Sequence, residues 1–213
     1  MQNPHSAQPV LAAGAPLEAA RAAVIMIHGR GASAHDILTL APELDLGDLA
    51  FLAPQAAQNA WYPQRFIAPV EQNEPWLTAA LDLIGALIDH VKAAGLPTER
   101  IALLGFSQGA CLALEYAARN PQRYGGLFGL SGALIENGDR PRAYAGSLET
   151  TPVFLGCSDV DFHIPLERVQ RSTELLRGLQ AAVTERIYPG MGHTVNADEI
   201  AHVRAVLEQI TLQ

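Results

Sequence analysis

The chain has 213 residues, of which 49% belong to the apolar and aromatic set and 17% are charged, with 14 basic against 22 acidic residues and a formal charge of −8. That composition excludes intrinsic disorder, and the acidic balance offers no phosphate neutralisation, so no nucleic-acid partner is expected. No apolar run reaches the ~18 residues of an integral membrane segment, no basic residue precedes Arg21 as a secretory leader would require, and two cysteines, Cys111 and Cys157, cannot build a disulfide framework; a cytoplasmic protein is the expectation.

Val24-Ile25-Met26-Ile27 is a short β-branched run ending at His28-Gly29, which predicts a buried strand feeding a loop. Leu49 to Ala53, Ile101 to Phe106, Gly126 to Leu130, Val153 to Gly156 and Val183 to Tyr188 read the same way. Such unalternating runs suit a parallel sheet covered on both faces. Four helical patterns lie between and after them. Leu77, Ala80, Leu81, Ile84, Ile88 and Val91 share one face, closed by Gly95-Leu96-Pro97. Ala110, Cys111, Leu114, Ala117 and Ala118 mark a second helix with a small face, and Leu166 to Leu179 a third. Ile200, Val203, Leu207 and Ile210 mark the last. The alternation predicts one α/β domain with a mostly parallel sheet. Asp36 to Glu74 is the least regular stretch, and its prolines and its Trp61-Tyr62 pair predict a loop over the binding face.

Gly105-Phe106-Ser107-Gln108-Gly109 sits between a predicted strand and a predicted helix, the setting of a nucleophile elbow. A sharp turn there brings the backbone close to its neighbours, so glycines flank a serine lifted out of the sheet. A serine hydroxyl is a weak nucleophile and needs a base, and the base needs an orienting acid. Of His163, His193 and His202, which follow Ser107, His193 stands in the Gly190-Met191-Gly192-His193 loop after the last strand, where an α/β site forms. His202 falls inside a helix. Asp159 and Asp161 both follow the strand before it, and spacing leaves the choice between them open; Glu136 and Asp139 read as solvated. His28-Gly29-Arg30-Gly31 follows the first strong strand, so the backbone amides of Arg30 and Gln108 are the expected oxyanion donors, while His28 is expected to hydrogen-bond within its loop. Trp61, Tyr62, Phe162 and Met191 are candidate substrate-pocket residues, weighed against ordinary packing, and Arg65, Glu71 and Glu74 are weighed as polar contacts against a solvated loop. The sequence has no His-Glu-x-x-His pattern, no clustered Cys/His spacing and no Gly-rich phosphate loop, so no metal is expected.

These four segments, in this order and spacing, resemble the carboxylesterase, phospholipase and acyl-protein thioesterase family of small α/β-hydrolases, from about Val24 to Ile210. The resemblance implies an α/β-hydrolase fold without a large cap, filling residues 1–213 as one domain with 1–20 as a peripheral segment. It also implies the acid: the family's triad Asp stands four residues before a proline preceded by an aliphatic residue, and Ile164-Pro165 thereby selects Asp161. The implied activity is cofactor-free hydrolysis of a small-molecule carboxylic ester, or thioester, by Ser107, His193 and Asp161, with a homodimer left open. Arg30 stands where thioesterase members tend to be apolar, and Phe162 replaces a common proline. A charge near the acyl path, unless turned away, favours short or medium acyl chains. A binding protein on a hydrolase scaffold, and an acyltransferase or perhydrolase using the same acyl-enzyme, are the alternatives.

Overall fold

The structure is a computed structural model and describes residues 3–212. Its sheet has seven strands: β1 (Val10–Gly14), β2 (Ala22–Ile27), β3 (Leu49–Pro54), β4 (Ile101–Phe106), β5 (Gly126–Leu130), β6 (Pro152–Ser158) and β7 (Ala182–Tyr188). They lie in the order β1-β3-β2-β4-β5-β6-β7. Only β1 is antiparallel, pairing Val10 with Pro54 through Gly14 with Ala50. All other neighbours are parallel. The chain leaves β2 towards β3 on one side, and later leaves β4 towards β5 on the other. The strand order therefore reverses between β2 and β4, and open α/β sheets bind ligands at the carboxyl end of that reversal.

Helices α1 (Ala34–Leu38), α2 (Ala41–Leu44) and α6 (Ala197–Thr211) cover one face; α3 (Trp76–Ala93), α4 (Gln108–Arg119) and α5 (Leu166–Gly178) cover the other. Although β2 is apolar throughout, its side chains still alternate. Val24 and Met26 enter the core under α6, and Ile25 and Ile27 the core under α3 and α4. Each fully buried Ile or Leu of this kind is worth roughly 1.5–3 kcal/mol, so the central strands fix the sheet and leave the loops at its carboxyl edge to vary.

The structure departs from the sequence reading in five places. β1 was not expected: Val-Leu-Ala-Ala-Gly has weak strand preference and sits half-exposed on an edge, where pairing with β3 rather than burial defines it. The segment before it is not merely peripheral, since His5 is fully buried, its ring joining Trp61 O (3.1 Å) and the Ala57 N–H (3.1 Å). Short helices occupy the start of the irregular 36–74 stretch, which α1 enters from Ala34; α1 is set by a Ser33/Asp36 capping box instead of an apolar stripe. β7 alternates exposed and half-buried residues because it is the other edge strand. Glu136, expected in solvent, is buried against Arg168, 2.6 Å away, and Arg171.

Candidate active site

β4 ends at Phe106, Ser107 follows, and α4 starts at Gln108. Ser107 holds φ 54° and ψ −119°, outside the regions a non-glycine residue ordinarily adopts. The flanking glycines are required by contact: a Cβ on Gly105 would stand 2.2 Å from Gly109 O, and one on Gly109 would stand 2.0 Å from Ile27 O. The turn thus presses α4 onto the end of β2 and points the serine out of the sheet at a helix N-terminus, where developing negative charge is stabilised.

Three residues distant in sequence meet there. His193 Nε2 lies 2.9 Å from Ser107 Oγ, and His193 Nδ1 lies 2.6 Å from Asp161 Oδ2. The Asp161 carboxylate is shielded from solvent, and its other oxygen accepts the N–H groups of His163 (2.8 Å) and Ile164 (3.1 Å). With Nδ1–H donated to a carboxylate, Nε2 is left free to accept the serine proton, and this arrangement can turn a hydroxyl into a nucleophile. Asp159, the other open choice, instead accepts Gly190 N–H at 2.8 Å, while Ser158 Oγ accepts Gly192 N–H at 3.1 Å. Both pin the loop that carries His193.

On the opposite wall, the backbone N–H groups of Arg30 and Gln108 donate to no backbone group among the described residues. The side chain of Gln108 is buried, accepting Trp61 N–H (2.9 Å) and donating to Tyr62 O (2.8 Å). Arg30 turns its guanidinium onto the carbonyls of Tyr62, Pro63 and Gln64. These carbonyls hold the Arg30 guanidinium in place at the rim of the cavity beside Ser107. His28 is fully buried and structural, Nδ1–H donating to Gly29 O and Nε2 accepting Ala56 N–H, and burial lowers its pKa.

A cavity of about 270 Å³ opens at Ser107, walled by Tyr62, Phe66, Phe106, Cys111 and Ile164 and rimmed by Arg30, Arg65 and His163. Of the four pocket candidates only Tyr62 reaches it. Trp61 is fully buried beneath, its Nε1–H on His28 O, because its indole has a better partner in the core. Phe162 is 94% exposed, pointing into solvent. Met191 faces Asn196. Phe66, Cys111, His163 and Ile164 line it without having been pocket candidates, while Arg65, weighed in the sequence as a polar substrate contact, stands at its rim; His163 packs its ring 4.7 Å from that of His193. Their only sequence signal was adjacency to candidate residues. Burial pushes the Cys111 thiol up to about 12, so it stays protonated and is no rival nucleophile. A second groove, lined by Ile37, Leu40 and Val195, meets this cavity at Gly29, Phe106 and His193. Among the described residues no cluster of His, Cys, Asp or Glu is arranged to hold a metal ion, and no helix is long and apolar enough to cross a membrane.

The profile of the phospholipase/carboxylesterase family matches residues 10–211. A solved phospholipase/carboxylesterase from Dyadobacter fermentans is 43% identical, covering 95% of this chain and 97% of that one with a TM-score of 0.90. Acyl-protein thioesterase 1 of Yarrowia lipolytica is 27% identical, covering 91% of this chain and 94% of that protein. The protein of the same name from Gibberella zeae is 34% identical over 129 residues, a stretch that spans 58% of this chain and 53% of that protein.

Proposed function

This chain belongs to the phospholipase/carboxylesterase family, and from that premise we propose that it hydrolyses carboxylic esters of short or medium acyl chains through an acyl-enzyme on Ser107. The observation that carries this reading is the unbroken chain from Ser107 Oγ through the His193 ring to Asp161, with contacts of 2.9 and 2.6 Å.

In the proposed reaction Ser107 Oγ attacks the ester carbonyl carbon while His193 Nε2 takes its proton. The carbonyl oxygen becomes an oxyanion, and the backbone N–H groups of Arg30 and Gln108 donate to it; a donor of this kind is worth about 3 kcal/mol. Collapse of the tetrahedral species breaks the bond to the leaving oxygen, which receives the proton from His193. Water then attacks the acyl-serine, giving its proton to His193, and the acid leaves as the proton returns to Ser107. Asp161 holds the Nδ1–H tautomer and stabilises the imidazolium formed twice per turnover. A thioester would follow the same steps with a thiol leaving. The cavity supports a short or medium acyl group, since about 270 Å³ lies below the roughly 300–1,000 Å³ of pockets that take drug-sized ligands.

Ser107→Ala tests the reading. The variant is expected to keep the wild-type circular dichroism spectrum and to lose at least about 10⁴-fold in kcat on 4-nitrophenyl butyrate, the scale of losing a triad member. Turnover near wild type would remove Ser107 from the mechanism.

A further inference from the structure

The charges around the cavity run against those of the whole molecule. The chain carries 22 acidic and 14 basic residues, yet none of the residues lining this cavity is acidic, and two of them are Arg30 and Arg65. Among the described residues neither guanidinium has a carboxylate within ion-pair distance, although eight other arginines do. Arg30 rests on neutral carbonyls, which fix it without cancelling its charge. Arg65 is exposed and uses one of its five N–H donors, on His163 O at 3.2 Å. A planar fork of unused donors at the same cavity as a fixed positive charge matches a carboxylate. The long-range repulsion of an acidic protein is screened beyond about 8 Å at physiological salt, so at the cavity the local charges decide: Arg30 and Arg65 at the rim, against the Asp161 carboxylate shielded behind His193.

Position says which part of the substrate bears the anion. Ser107 and Gln108 line this cavity and not the groove beyond His193, so the acyl group bonded to Ser107 extends towards Arg65. The alcohol, which receives its proton from His193, is left the groove of Ile37, Leu40 and Val195. We propose that the enzyme selects esters whose acyl chain ends in a carboxylate, that is, half-esters of dicarboxylic acids, with Arg65 as the specificity-determining residue and Arg30 as a fixed supporting charge. This inference rests on the ester-hydrolase reading above.

The test compares mono-4-nitrophenyl adipate with 4-nitrophenyl hexanoate, equal in acyl length, after subtraction of the uncatalysed rates. Wild type is expected to show the higher kcat/KM on the adipate. Arg65→Gln should lower the adipate-to-hexanoate ratio about tenfold, the scale of one charge-assisted hydrogen bond, and Arg65→Lys should restore part of it. Hexanoate hydrolysis with no adipate preference, or a ratio unmoved by Arg65→Gln, overturns the selectivity while leaving the hydrolase reading intact. An Arg65 effect seen only with 4-carboxyphenyl hexanoate, whose charge is on the alcohol, also overturns it. Hydrolysis of none of the three esters would instead sink the hydrolase reading itself.

Discussion

Asp159 and Asp161 are two residues apart and make different contacts. Asp161 meets the His193 ring and gathers two backbone N–H groups; Asp159 caps the amide of Gly190 in the loop that carries that ring. In the proposed mechanism Asp161→Asn removes the acceptor that holds the tautomer, so kcat should fall by about 10⁴. Asp159→Asn keeps an oxygen for Gly190 N–H and should cost less than about tenfold, a loss on the scale of one hydrogen bond. Steady-state rates of the two variants on one activated ester check this, and the reverse ranking would transfer the acid role. That Ser107 and His193 meet is legible in the sequence, because glycine spacing and chain order leave few choices. The pocket wall was not, since Trp61 and Phe162 are both plausible pocket aromatics in sequence and only packing sends one into the core and the other into solvent.

Most strands and the four long helices could be read from the sequence, because each buries an unbroken run or a clear stripe. The edge strand β1 and the short helices α1 and α2 could not: pairing and capping define them, and neither leaves an apolar pattern. Helix α6 contains a further device of this kind. Glu199 closes the capping box with Asn196 at its start, immediately after the His193 loop, and is fully buried, with Oε1 lacking a partner. Burial raises its carboxyl from 4.5 to about 7. The folded state therefore keeps this proton up to about pH 7, whereas the unfolded chain loses it near 4.5. Between those values the folded form binds more protons, so rising pH removes stability, by up to about 3 kcal/mol. Urea unfolding of wild type and Glu199→Gln at pH 5 and pH 8 isolates this group. The stability of wild type relative to the variant should fall from pH 5 to pH 8, and a constant difference would refute the buried-acid account.

Across the whole molecule, the reversal of strand order between β2 and β4 brings the Arg30 loop and Ser107 side by side, and the ends of β6 and β7 bring Asp161 and His193 to the same edge. The mostly parallel architecture followed from alternating patterns, but the order of strands, and so the neighbourhood of the site, is set by crossovers that leave no local trace. The same holds for the charge around the cavity: a net −8 chain places there two arginines that have no ion-pair partner among the described residues, which only the assembled loops disclose. The central claim is that this convergence activates one hydroxyl, and it is tested most directly by reacting the folded protein with a fluorophosphonate and locating the adduct by peptide mass spectrometry. The account expects a single adduct on Ser107, forming quickly in wild type and not in His193→Ala. An adduct on another residue, or none from a protein that still cleaves esters, would contradict it.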